Sequence, residues 1–145
     1  MNVARVRNDL RILTDLARQG AFRGADWNPD PRDPWIIVRG AFRLPADRFN
    51  LPDCNLKLPL TFNLYDELAG QPGRHAFYST IFIDEGLRDR SAGGGWRPVR
   101  RQFVSNRTEA GKGWAFLCVY PAAVGPDTDI RALFPVVQRF LFNPR

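Results

Sequence analysis

One histidine, His75, and two cysteines, Cys54 and Cys118, are all that the chain offers of those two residue types. A structural zinc site draws four ligands, mostly Cys and His in close pairs, so this inventory excludes one and no metal is expected. Two well-separated cysteines read as free thiols rather than as a disulfide framework. A cysteine hydrolase would have to recruit His75, and no local signature surrounds it. Long apolar runs are also missing, since nothing approaches the roughly 18–20 residues that a spanning helix needs. Arg5, Arg7, Asp9 and Arg11 interrupt the first segment, so it does not read as a secretory signal. The expectation is a soluble, cytoplasmic chain with no membrane partner.

Lysine is almost absent: Lys57 and Lys112 stand against 19 arginines, and the net charge is +6. Such a balance would attract nucleic acid or an acidic protein surface. The arginines are scattered, "WRPVRRQF" apart, so nucleic acid is not the expected partner. With 145 residues, 44% of them hydrophobic and 25% charged, one domain over 1–145 with its own core is expected.

Val3, Val6, Leu10, Leu13 and Leu16–Ala17 recur at three- and four-residue spacing, which predicts an amphipathic helix ending near Gly20. "ADWNPDPRDP" carries three prolines and reads as a loop. "WIIVRGAFRLP", "NLKLPLTFNLYD", "HAFYSTIFIDEGL" and "RPVRRQFVSN" read as four strands, with Pro59 marking an edge or a bulge in the second. "GGG" at 93–95 follows no strand–helix pattern for a phosphate and reads as a flexible loop. Trp27, Trp35, Trp96 and Trp114 read as core or loop anchors. "WAFLCVY" is apolar and extended. "IRALFPVVQRFLF" has helical spacing, with Asp127 or Thr128 as N-cap, and Pro135 predicts a kink or a late start. The fold class is α+β: a helix, a four-stranded antiparallel meander, a cysteine-bearing loop, then a helix.

Cys118 in that apolar run reads by itself as a core thiol, because free cysteine is among the most buried residue types. The "GKG" turn just before the run leaves a nucleophile open. Cys54 is the alternative thiol, and His75 reads as structural. Asp127 and Asp129 read as helix caps, since acids favour a helix N-terminus. Arg5, Arg7, Arg11 and Arg18 read as a solvated helix face.

This order of elements resembles the ubiquitin-conjugating (UBC) fold. "NLKLPLTFNLYDELAGQPGRHAFYSTIFIDEG" is similar to its two central strands and hairpin, and Pro98 opens the equivalent of its fourth strand. "VSN" (Val104, Ser105, Asn106) stands where the family has His-Pro-Asn, and Cys118 stands near the place of the catalytic cysteine. Val104 and Ser105 depart from the motif, and the family's Trp-Ser-Pro tryptophan is absent. The chain looks most like the short bacterial homologues of antiphage defence, in particular those paired with a nucleotide cyclase in CBASS systems.

The resemblance implies a cysteine acyltransferase. Cys118 would carry a protein C-terminus as a thioester, and the chemistry suits a thiol because the thiolate leaves readily when an amine attacks. A carrier that receives its acyl group from another thioester needs no paired histidine. Asn106 would donate to the oxyanion and Asp127 would orient or deprotonate the amine. Arg5, Arg7 and Arg11 would dock a ubiquitin-activating-like enzyme. The cargo would be a ubiquitin-like protein or the nucleotide cyclase C-terminus, and no cofactor is implied. A catalytically silent UBC-fold binding module and a basic nucleic-acid-binding domain are the alternatives.

Overall fold

The computed structural model describes residues 1–60, 64–78, 80–90, 93–99, 110–117 and 123–142. Helix α1 spans Val3–Arg18, as the spacing predicts. Asn2 caps it, its side chain accepting from the Arg5 amide at 3.2 Å. Gly20 ends it at φ +83, with the Gly20 amide on Ala17 O and the Ala21 amide on Leu16 O, both at 3.0 Å. That pair of bonds is a Schellman closure, which needs a left-handed residue at Gly20. Val6, Asp9, Ile12 and Leu13 form its buried face.

The main sheet is five-stranded and antiparallel, in the order β1-β2-β3-β5-β8. Its strands are β1 (Gly24–Asn28), β2 (Trp35–Arg43), β3 (Asp53–Pro59), β5 (Ile81–Asp84) and β8 (Trp114–Leu117). Two short ribbons flank it, β4 (His75–Ala76) with β9 (Ala123–Val124), and β6 (Arg88–Asp89) with β7 (Arg97–Pro98). The chain closes with a 3-10 turn, Ile130–Ala132, and helix α2, Leu133–Phe142.

Several expectations are corrected. "ADWN" is edge strand β1 rather than loop, because its amides pair with β2 before Pro29 can end the strand. Pro59 is the last residue of a central strand, opposite Trp35 and beyond the Leu56–Ile83 and Lys57–Phe82 pairs with β5, so no ladder bond to β5 is lost there. The bulge lies instead in β2, where Gly40 takes φ +64 and donates to Asn55 Oδ1 at 2.9 Å. The third expected strand is split into β4 and β5, which pair with different partners. Arg97–Pro98 of the fourth belongs to a ribbon with β6, and its remainder from Arg100 to Asn106 lies outside the described residues. The place beside β5 is taken by β8.

Both helices pack on one face of the sheet. Alternation puts Ile36, Val38, Leu56, Leu58, Ile81, Ile83 and Leu117 on that face, where they join Val6, Ile12, Leu13, Leu133, Val137 and Leu141 in one buried cluster. The opposite face carries a smaller cluster of Phe82, Ala110 and Phe116 with Trp114 against it. Lys57 lies beside it, 5.4 Å from the Trp35 ring centroid and donating to Ala110 O at 2.9 Å. Pro135 falls in the first turn of α2, where a missing N–H costs nothing, so the helix starts late without a kink. Asp129, not Asp127 or Thr128, caps the preceding 3-10 turn, accepting from the Arg131 amide at 3.0 Å. Among the described residues no helix is long and apolar enough to cross a membrane.

Candidate functional site

The two thiols must be taken separately. Cys54 lies on the helix-covered face of β3 and is fully buried. Burial first, then the nearby Asp84 and Asp53 carboxylates, push its thiol up to about 12. A thiol that stays protonated is neither nucleophile nor acyl carrier, so the alternative reading of Cys54 falls.

Cys118 and Asn106 lie outside the described residues. The chain on both sides of 118–122 is anchored. Leu117 ends β8 opposite Ile81, and Ala123 opens β9 opposite Ala76. Gly111 (φ +86) and Gly113 (φ +91) turn the chain into β8, a conformation that favours glycine at both places. His75 is half-buried, and its Nδ1 is 3.1 Å from the Tyr65 carbonyl oxygen.

Asp127 is exposed and lines an opening of about 370 Å³ between the first turns of α1 and residues 126–129. Arg5, Asn8, Asp9 and Asp129 line it too. Asp9 is buried, and its carboxyl gathers three donors from three segments: the Tyr65 and Tyr78 hydroxyls, each at 2.6 Å, and the Ile130 amide at 3.0 Å. Burial holds the Asp9 carboxyl above its ordinary range, against the lowering effect of those bonds. Burial likewise raises both tyrosine hydroxyls well above theirs, so they stay protonated donors. The Arg131 guanidinium, through its hydrogen bonds, holds Asp129 below the usual carboxylate range.

The fold therefore brings together Arg5 and Asp127, two of the residues singled out from the sequence. Arg5 is engaged inside the fold rather than presented on the helix face. Its guanidinium sits 3.8 Å over the Tyr65 ring centroid and donates to Thr128 O. Arg7 and Arg11 are exposed on α1; Arg11 donates to Asn8 Oδ1 at 2.7 Å and faces Asp15 at 3.9 Å. Asp9, Tyr65 and Tyr78 were not singled out as site residues. The available signal was position: Asp9 falls three residues after Val6 and four before Leu13, on the apolar stripe of α1. Among the described residues, no three His, Cys, Asp or Glu side chains converge to hold a metal ion.

Fold and site together define an α+β protein, with an N-terminal and a C-terminal helix on one face of a mostly antiparallel sheet. No protein-family model, no curated protein and no solved structure matches the chain.

Proposed function

We propose that the chain is a ubiquitin-conjugating-like cysteine acyltransferase with the UBC fold, acting in the cytoplasm in bacterial antiphage defence of the CBASS kind. Cys118 is its nucleophile. The observation that carries the reading is the difference between the thiols: Cys54 is sealed in the core, whereas Cys118 follows directly on β8, the outermost strand of its sheet among the described residues, which is entered through a two-glycine turn. The order of helix, antiparallel strands and helix supports it as well.

The Cys118 thiolate attacks the thioester carbonyl of a charged ubiquitin-activating-like enzyme, and that enzyme's thiolate leaves. The acyl group is then the C-terminal carboxyl of a ubiquitin-like protein or of the nucleotide cyclase. An amine attacks the new thioester, the C–S bond breaks with Cys118 leaving as thiolate, and the proton lost by the amine passes to that thiolate through water. Asn106 donates to the oxyanion, a contribution of about 3 kcal/mol for one such donor. Asp127, an exposed carboxylate on the rim of the opening, receives the amine and lowers the cost of its deprotonation. Arg7 and Arg11 meet the acidic face of the activating enzyme, while Arg5 holds the opening together. ATP is consumed by the activating enzyme, and the transferase uses no cofactor.

A second reading, a silent binding module of the same fold, is favoured by Val104 and Ser105 in place of His and Pro. Intact mass without reductant, on protein co-expressed with its neighbouring genes, separates the two. The transferase gives a heavier species that thiol reductant removes and Cys118→Ser abolishes. An unmodified chain beside an active activating enzyme establishes the silent module.

A further inference from the structure

Four of the arginines that are scattered along the sequence, Arg48, Arg88, Arg90 and Arg97, lie on segments that meet in space. Three segments meet there: the turn from Pro45 to Asn50, the β6–β7 ribbon and the last turn of α2. The Arg90 amide donates to Arg48 O at 2.9 Å, and the Asn50 amide donates to Arg88 O at 3.2 Å. An Arg48 guanidinium nitrogen caps α2 by donating to Phe142 O at 2.8 Å. Arg97 lies opposite Asp89 in the ribbon and is exposed.

Two features of this cluster point to a ligand. First, the guanidiniums of Arg48, Arg88 and Arg90 donate to main-chain carbonyls: Phe142 O, Glu85 O and Leu87 O, and Asp47 O. Among the described residues none of the four arginines is paired with a carboxylate, and these bonds hold the guanidiniums of Arg48, Arg88 and Arg90 in place. Asp89 is buried, and both Asp89 and Glu85 have partners of their own; Asp47 is the exposed acid of these segments. Second, Trp96 is 44% exposed, against the expectation of an anchor. The Arg90 guanidinium lies over its ring, 4.5 Å from the centroid. The ring is carried on Gly93–Gly95, immediately before Arg97.

A flat aromatic face beside fixed guanidiniums is the arrangement that holds single strands, with the base on the ring and the phosphates on the arginines. We infer that this surface binds single-stranded nucleic acid, a base stacking on the exposed indole of Trp96 while Arg97, Arg90 and Arg88 take the flanking phosphates. An acidic peptide would satisfy the arginines but would leave the indole face without a planar partner. The inference does not rest on the proposed thioester chemistry.

The test is fluorescence anisotropy of a labelled oligothymidylate and a labelled oligouridylate with the intact protein, titrated from about 50 to 200 mM salt. Binding at low salt that falls steeply with salt is expected for at least one of them. Trp96→Ala should weaken it about tenfold, in line with one lost stacked base. Arg97→Ala should weaken it and flatten the salt slope by about 0.7, the share of one phosphate on a single strand, while Arg97→Lys keeps the slope. Trp96 and Arg97 are exposed, so these variants should fold, and unchanged thermal melts would verify that. Cys118→Ser should bind like the parent chain, which separates this inference from the thioester reading. No binding at low salt overturns the inference, as does binding that Trp96→Ala leaves intact. Equal binding of labelled polyglutamate, weakened by the same substitutions, also overturns it and identifies an acidic protein surface as the partner.

Discussion

Two regions of this molecule gather charged side chains from distant stretches of chain, and they do opposite things with them. Around Asp9 a single carboxyl is buried and fully used, with two tyrosine hydroxyls and the Ile130 amide on its oxygens. Around β6–β7 the guanidiniums of Arg48, Arg88 and Arg90 meet carbonyl oxygens and rings, and Arg97 is exposed. A buried ionisable group persists only when its hydrogen-bonding capacity is met, so Asp9 holds α1, the Tyr65–Tyr78 region and the C-terminal elements in one arrangement. Exposed guanidiniums are hydrated and screened, so they add little to the fold and remain free to act on a partner.

The comparison breaks most visibly at its buried end. Asp9→Ala leaves three buried donors without an acceptor and should cost about 3 kcal/mol, less than their sum because the desolvated carboxyl goes too. In a domain of this size that lowers the melting temperature by about 10 °C, read by calorimetry or circular dichroism. Tyr78→Phe removes one hydroxyl from a carboxyl that keeps its other partners, and should cost about 1.5 kcal/mol in a denaturant titration. A loss under half of that would mean that the hydroxyl bond contributes little to holding the carboxyl.

The pH dependence sharpens the contrast by its sign. Folding raises the Asp9 pKa, so the folded state holds this proton where the unfolded chain has released it. Its contribution is therefore greatest below the ordinary carboxylate range and is lost as pH rises through the raised folded value. Asp129 behaves in the opposite way: its pKa is depressed by Arg131, so its contribution is present above the ordinary range and is lost as pH falls through the depressed value. Comparing parent and Asp9→Asn stability across mildly acidic pH should isolate the first effect, and identical profiles would refute it.

At the surface end, Arg90→Ala and Trp96→Ala should shift stability by no more than about 0.5 kcal/mol while changing strand binding. The smallest effect concerns Cys54. In the Cys118→Ser chain, maleimide near neutral pH should leave Cys54 unlabelled until denaturant is added. Rapid labelling of the native chain would contradict its burial.

Periodicity made α1 legible, because Val6, Leu10 and Leu13 repeat along one stripe and Gly20 can close the helix as few other residues can. The same holds for β2, for the alternation of Leu56 and Leu58, and for the late start of α2, which Pro135 signalled. It did not show that the apolar segment from His75 to Leu87 divides between two sheets. Alternation reports which residues face the same way, not which strand lies alongside. β1 was missed because three prolines obscured four residues whose pairing with β2 comes from outside the segment. Of the site, Asp127, Arg5 and the two thiols were visible as residue types, while their settings were not.

What the sequence alone determined is the α+β class, the terminal helices and the scarcity of metal-binding side chains, since these rest on local propensity, period and composition. Only the tertiary structure decided that Cys54 is sealed, that Arg5 is engaged and that Asp9 is a hub. It also decided that Arg48, Arg88, Arg90 and Arg97 form one surface. Burial and field depend on neighbours brought from elsewhere in the chain, and no local pattern encodes them.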